Sequence, residues 1–307
     1  MRLSQLVGPR TSKVVSLSDP VPAADQVLVE VLACGVCTSD LSAWRRHDPG
    51  AEPMRLGHEI AGRVAAVGAQ ATRWAVGDLV TGLGGEGFAE LAVMDATAVL
   101  PIPAGISPAH ALGEPVAVLE EALSRSPSAV GLRVAVVGLG FMGLGLVQLV
   151  KRHAPALLIG VDPDPSRRER ALSLGLDAAV APDALDGYLG DGRMDLVLEA
   201  TGVTPGLATA GSLVRPFGTL NVIGYHHAGE AKMDMDLWYK GVTVVNGFCP
   251  DRTRTVAAMV TALDLIAQRR FSYAPLVTHR YTLDQVDEAF EAMEAAGPDF
   301  VKGVLVS

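Results

Sequence analysis

The hydrophobic pattern changes character twice along the chain. Up to about residue 115, apolar residues come in short runs between turn formers. Val27-Leu28-Val29-Glu30-Val31 and Phe88-Ala89-Glu90-Leu91-Ala92-Val93 predict strands, Val76-Gly77-Asp78 predicts a turn, and residues 82–87 form a loose glycine-rich loop. From about 116 to 250 the pattern alternates between strands and helices. Apolar strands are expected at Val134 to Val137, in the run ending at Asp162, and around Leu196, Leu220 and Val242, with a helix from Leu144 to Lys151. In the tail, Val256, Met259, Val260, Leu263 and Ile266 keep helical spacing. Thr282 with Gln285 three residues on has the form of a capping box, and Val304-Leu305-Val306 ends the chain as a strand. The expected architecture is α/β. A β-rich domain covers residues 1–115, with 251–307 folding back onto it, and a doubly wound parallel sheet covers 116–250.

The strand Val134 to Val137, apolar without alternation, reads as buried on both faces. It runs at once into Gly138-Leu139-Gly140-Phe141-Met142-Gly143. In such a turn the first glycine permits the tight bend, the second lets a pyrophosphate touch the backbone, and the third brings the helix close to the strand. The N–H groups opening the following helix then face the phosphates, and Phe141 and Met142 in the turn join the glycines as cofactor-binding candidates. Because the chain has 33 glycines, context must carry this reading. That context is the strand before the turn, the helix after it, and Asp162 nineteen residues past Gly143, where a carboxylate can take the ribose hydroxyls.

With 307 residues, 49% hydrophobic and 19% charged, the chain can bury two sizeable cores. Its net charge of −9 disfavours nucleic acid or an anionic membrane as partner, and Arg45-Arg46 and Arg269-Arg270 read as solvated pairs. Three cysteines are too few for a disulfide framework and favour a reducing compartment. Met1-Arg2-Leu3-Ser4 offers no apolar signal region, and the Val134 to Val150 run is interrupted by glycines and Gln148. A cytoplasmic protein is expected.

Thiolate, imidazole and carboxylate are the usual zinc donors, and a catalytic site takes three and leaves a position open. The chain offers Cys37 in Cys34-Gly35-Val36-Cys37-Thr38-Ser39-Asp40, His58 and Glu59 in Gly57-His58-Glu59-Ile60-Ala61-Gly62, and Glu114 in Leu112-Gly113-Glu114-Pro115. These lie far apart, which suits a site assembled by the fold rather than a local zinc finger. Cys34 reads as a small core residue. Taken alone, Glu114 reads as a charge at a helix N-terminus, raised as a ligand candidate by its place just ahead of the cofactor domain.

The combination of Gly57-His58-Glu59-x-x-Gly62-x5-Gly68 with Gly138-x-Gly140-x-x-Gly143 resembles the zinc-dependent medium-chain dehydrogenases/reductases, closest to their polyol, threonine and alcohol dehydrogenase branch. The resemblance covers nearly the whole chain. It implies a GroES-like catalytic domain beside a Rossmann domain, with the active site in the cleft between them. It also implies Cys37, His58 and Glu114 as ligands of one catalytic zinc, with Glu59 behind the metal and able to exchange onto it. Ser39 becomes the hydroxyl of a proton relay and Asp40 a carboxylate supporting the ligands. In the cofactor domain it assigns Asp162 to the ribose with Arg167 beside it, and Thr201, Ile223 and Gly224 to the nicotinamide side. Where many relatives carry a four-cysteine lobe binding a structural zinc, only a short loop stands between Val80 and Phe88, so a second zinc is not expected. Some relatives also have a histidine three positions after the relay hydroxyl, where this chain has Ser42.

The resulting expectation is NAD-dependent oxidation of a polar secondary alcohol, of polyol, cyclitol or amino-alcohol type, by a homodimer or homotetramer. Asp162 favours NAD, because the 2'-phosphate of NADP would meet its charge. Tyr225, His226 and His227, with Trp44, His47, Trp238 and Tyr239, are candidates for a polar-aromatic substrate wall, although Trp238 and Tyr239 equally suit an oligomer interface. Two alternatives share the fold: a zinc-free quinone or enone reductase, which has no use for the ligand set, and a nicotinamide-binding protein without turnover.

Overall fold

The apolar run Arg133–Val137 lies in the middle of a six-stranded sheet whose paired strands are all parallel. Leu157–Val161 and then Ala178–Val180 flank it on one side; Met194–Glu199, Val214–Val222 and Thr243–Asn246 follow on the other. This is the 3-2-1-4-5-6 order of a dinucleotide-binding sheet, whose strand order reverses at the central strand while every strand keeps one direction. The core on it is built from Ala135, Val137, Ile159, Val197 and Leu220, all buried. The structure is a computed structural model that describes every residue except 190, 191, 227, 228 and 298. Among the described residues no helix is long and apolar enough to cross a membrane.

This sheet belongs to one of two compact units, Val118–Pro250; the other joins Met1–Ala117 to Asp251–Ser307. In the second of these, Gln26–Gly35 is the organising strand, pairing antiparallel with Glu59–Val67, with Leu91–Asp95 and with the terminal strand Lys302–Val306. Val277–Tyr281, Leu79–Leu83 and Val99–Pro101 complete this seven-stranded sheet. A smaller sheet holds Thr11–Ser16, Arg2–Gly8 and Met54–Arg55. Trp44 stacks on Phe290 at 5.3 Å and Phe88 meets the same ring edge-on at 6.0 Å, joining the tail helix Val286–Ala295 to this core.

Three local expectations shift. The strand expected from Phe88 begins only at Leu91, because Ala89 bridges Leu3 of the small sheet before the chain joins Gln26–Gly35. The cofactor-domain helix starts at Phe141 rather than Leu144, since Gly143 is no breaker but a point of close packing. Thr38–Arg46 is a helix that the reading of short strands and turns missed; its buried Leu41 and Trp44, at helical spacing, were the available signal. The Thr282–Gln285 capping box is present and opens a single 3-10 turn ahead of Val286–Ala295.

Candidate metal centre and cofactor turn

Strand register brings the donors together. Gly35 faces Glu59 on one side and Val304 on the other, so the chain leaving Gly35 toward Cys37 runs beside His58 and Lys302. Glycine at 35 leaves room for that carboxylate, because a Cβ there would stand 1.8 Å from Glu59 Oε2 and push it from its place. Cys37 is the extended residue ahead of the Thr38–Arg46 helix, and Asp40 lies in its first turn. The ligand atoms of Cys37, His58 and Glu59 all lie within 4.8 Å of one another. His58 Nδ1 is 3.4 Å from Asp40 Oδ2, and its Nε2 is 3.5 Å from Ser39 Oγ. A carboxylate behind one ring nitrogen orients the other toward a metal.

Glu114 does not join that set at the same spacing. It opens the helix Gly113–Ser124, and its place is held from behind. Thr81 Oγ1 donates to the Ile60 carbonyl and accepts from Gly113 N–H at 2.9 Å, while the Tyr273 hydroxyl donates to the Leu112 carbonyl. Burial and then the charge of Glu59 push the Glu114 carboxyl up to about 7, although His58 and Lys302 act against them. Burial works against the His58 imidazolium, but hydrogen bonds to Asp40 and Cys37 outweigh it and bring its pKa to about 11.

The fixed cation here is Lys302, whose Nζ lies 2.6 Å from Glu59 Oε1; their side chains are 4% and 2% exposed. Burial lowers its proton affinity, but the charges of Glu59, Cys37 and Glu114 and the hydrogen bond to Glu59 together raise it more. Among the described residues Glu59 Oε2 is buried with no hydrogen-bond partner, and Asp40 Oδ2 is buried with only the His58 ring nitrogen facing it at 3.4 Å. Three carboxylates and a thiol gathered around one lysine and the His58 imidazole, with Glu59 Oε2 orphaned, make an anionic pocket that a divalent cation fits. Binding one must displace protons from the ligands.

In the Val118–Pro250 unit the glycine turn has three distinct environments. Gly138 has φ +91°, and a Cβ there would lie 2.7 Å from Thr201 Cγ2. A Cβ on Gly143 would lie 1.8 Å from the Gly138 carbonyl oxygen, whereas nothing stands within 4 Å of one on Gly140. Gly140 precedes the Phe141–Lys151 helix, so Phe141 and Met142 open it beside that open face. Asp162 accepts from Leu139 N–H at 2.8 Å and from Asp164 N–H at 2.9 Å, with Arg167 Nη1 at 4.0 Å. Thr201 N–H donates to Glu199 Oε1 at 2.6 Å, and Ile223 and Gly224 N–H donate to the Glu199 carbonyl at 2.8 and 2.9 Å.

Family models match in two places, "Alcohol dehydrogenase GroES-like domain" over residues 23–104 and "Zinc-binding dehydrogenase" over 142–268. The chain is 31% identical over 264 residues to the "Probable zinc-binding alcohol dehydrogenase Rv1895" of Mycobacterium tuberculosis, covering 74% of this chain and 68% of that protein. The chain belongs to the zinc-dependent medium-chain dehydrogenases. This dehydrogenase is also 28% identical over 315 residues to a sorbitol dehydrogenase of Halalkalibacterium halodurans, covering 90% of the one and 91% of the other. In fold it is similar to the crystal structure of a Sinorhizobium meliloti protein bound to NADP, with TM-score 0.88 at 24% identity over 100% of this chain and 99% of that one. It is an oxidoreductase whose curated relatives include sorbitol, L-threonine 3- and (R,R)-butanediol dehydrogenases.

The dehydrogenase corrects part of the expected substrate wall. Trp44 is fully buried beneath Arg10, with its Nε1 donating to Asp287 at 2.8 Å, and His47 is 6% exposed, so both are interior residues. His226 turns inward to Glu199, whereas Tyr225, Trp238 and Tyr239 are 64, 71 and 78% exposed. His227 lies outside the described residues. Cys34 is a buried core residue, its thiol raised well above the ordinary value by burial. Lys302 was missed in the sequence; a lone lysine in Val301-Lys302-Gly303-Val304-Leu305 was the signal.

Proposed function

We propose that the chain oxidises a polar secondary alcohol, of polyol, cyclitol or amino-alcohol type, with NAD and one catalytic zinc and no structural zinc. The observation that carries this reading is the convergence of Cys37, His58 and Glu59, with Glu114 close by, into a pocket with excess negative charge. Cys37, His58 and Glu114 are the proposed zinc ligands, with Glu59 in reserve. When bound, zinc stabilises the alcohol oxygen as it loses its proton and the nicotinamide accepts the hydride. Asp40 keeps His58 Nε2 directed at the metal. Ser39, exposed and 3.5 Å from that nitrogen, relays the substrate hydroxyl proton, its Oγ accepting that proton as its own O–H proton passes to solvent water. Lys302 neutralises Glu59 and leaves Glu114 to complete the ligand set.

On the cofactor side, Gly138, Gly140, Phe141, Met142 and Gly143 hold the pyrophosphate, Asp162 and Arg167 the ribose, and Thr201, Ile223 and Gly224 the nicotinamide end. NAD is favoured because each Asp162 oxygen keeps a lone pair for a ribose hydroxyl, while a 2'-phosphate would meet its charge. The polar substrate class is supported by the named activities of the relatives. A cytoplasmic location is supported by the cysteine content, three in 307 residues, too few for a disulfide framework. Self-association, as homodimer or homotetramer, is supported by the edge strand Thr243–Asn246 and the neighbouring Trp238, Tyr239 and Phe217, 71 to 82% exposed. Light scattering tests it.

The deciding experiment combines metal analysis with a screen of polyols, cyclitols, amino alcohols and long-chain aliphatic alcohols on zinc-loaded protein, using NAD and NADP. Glu114→Ala should lose zinc and turnover together. Full activity of that variant after chelation would falsify the metal-dependent reading. A higher kcat/KM with NADP would overturn the cofactor choice, and a clear preference for long-chain alcohols would overturn the substrate class.

A further inference from the structure

The Glu199 side chain is fully buried at the end of its strand. Its Oε1 accepts from Thr201 N–H at 2.6 Å, from Gly202 N–H at 3.0 Å and from the Thr201 hydroxyl. The other oxygen, Oε2, faces His226 Nε2 at 3.2 Å. A carboxylate can only accept, so that ring nitrogen carries the proton. Backbone contact between the same two segments is close. A Cβ on Gly224 would stand 2.3 Å from Gly202 N, and one on Gly202, at φ +68°, would stand 2.4 Å from the Tyr225 carbonyl oxygen. Thr201 in turn covers Gly138, the first glycine of the cofactor turn. One carboxylate therefore ties together the 199–202 turn, the 223–226 segment and, through Thr201, the dinucleotide turn.

We propose that His226 is a positioning residue for the dinucleotide. Acting through Glu199, it holds the 199–202 turn and the 223–226 segment in the shape that receives the cofactor before the cofactor arrives. Its imidazole is the donor for Glu199 Oε2. Without it a buried oxygen is unpaired, and the carboxylate is free to turn toward solvent and release Thr201. Preorganisation of this kind appears as cofactor affinity, because ordering that the fold has already completed is not charged to binding. The proposal rests on the cofactor reading above and concerns that site alone.

The test is fluorescence titration of NADH into the full-length chain, paired with thermal denaturation of the cofactor-free protein. His226→Ala should raise the NADH Kd about tenfold, the scale of one hydrogen bond to a charged group. His226→Gln, whose amide N–H can reach the same oxygen, should stay near the wild-type Kd. Adding Glu199→Gln to His226→Ala should raise Kd little further, since both substitutions break one link. If His226→Ala does not fold, His226→Asn, too short to reach Glu199, takes its place. A lowered Tm with unchanged Kd makes His226 merely structural and overturns the proposal, as does an equal loss in the Ala and Gln variants. Wild-type protein that binds neither NADH nor NADPH refutes the cofactor reading itself.

Discussion

Lys302→Met removes the fixed cation from the metal centre while keeping most of the aliphatic stem. Lys302 Nζ and Glu59 Oε1 are 2.6 Å apart with side chains 4% and 2% exposed, and Glu59 Oε2 already has no partner among the described residues. The nearby His58 imidazolium is already engaged by Asp40 and Cys37, so it compensates the stranded carboxylate only in part. Breaking a buried pair from one side costs about 3–5 kcal/mol. In a unit of this size each kcal/mol lowers Tm by about 2–4 °C, so the metal-free protein should melt roughly 6–20 °C lower. Scanning calorimetry with chelator and then with saturating zinc reads both parts of the argument. Zinc takes over part of the charge compensation, so the deficit should shrink by about half or more. The double variant Lys302→Met/Glu59→Gln should recover most of the loss in chelator, because neither member of the pair is then left charged without the other. A shift under about 2 °C would show that Glu59 does not depend on Lys302. A deficit that zinc leaves untouched would show that the metal does not sit beside Glu59.

Ser39→Ala should keep zinc and NADH binding but lower kcat on the order of a hundredfold or more, the scale of one acid-base step; wild-type kcat in stopped-flow turnover would remove Ser39 from the relay. Gly143→Ala pushes a Cβ against the Gly138 carbonyl at 1.8 Å, so NADH affinity should collapse while zinc content, set in the other unit, is unchanged. Binding like wild type in titration calorimetry would refute the packing argument. Asp95 accepts from Thr97 Oγ1 at 2.7 Å and Thr97 N–H at 2.8 Å, and these bonds, the hydroxyl first, hold its carboxyl below the ordinary value. The stability they add is present above the unfolded pKa of about 3.9 and lost as pH falls through the lower folded value. Asp95→Asn should therefore flatten that acid limb in urea denaturation measured between about pH 5 and 2; an unchanged profile would remove Asp95 from it.

Much of the cofactor turn was legible because its chemistry is local. Three glycines, the strand before them and the carboxylate after the next strand constrain one another over a few tens of residues, and period and turn chemistry decide such segments. The capping box at Thr282 was legible for the same reason. Helix and strand ends were less so. Phe88 looks like strand and Phe141 like turn until the small sheet and the Gly143 contact with Gly138 set the boundaries.

What the sequence by itself determined was an inventory: a dinucleotide turn, donors suited to zinc, and a β-rich partner domain. Which donors meet was decided by tertiary structure. Cys37 and His58 converge because Gly35 pairs with Glu59, and Lys302 reaches Glu59 from 243 residues away because the last strand pairs with Gln26–Gly35. No local pattern encodes a pairing of that separation; it depends on which strand edges the whole chain leaves to be filled. Trp44 and His226 carry the same lesson, since an aromatic ring or an imidazole beside a site is equally suited to lining it or to supporting it from within. Only the packing of Phe290 and Arg10 around Trp44, and the burial of Glu199 against His226, chose the second role for each.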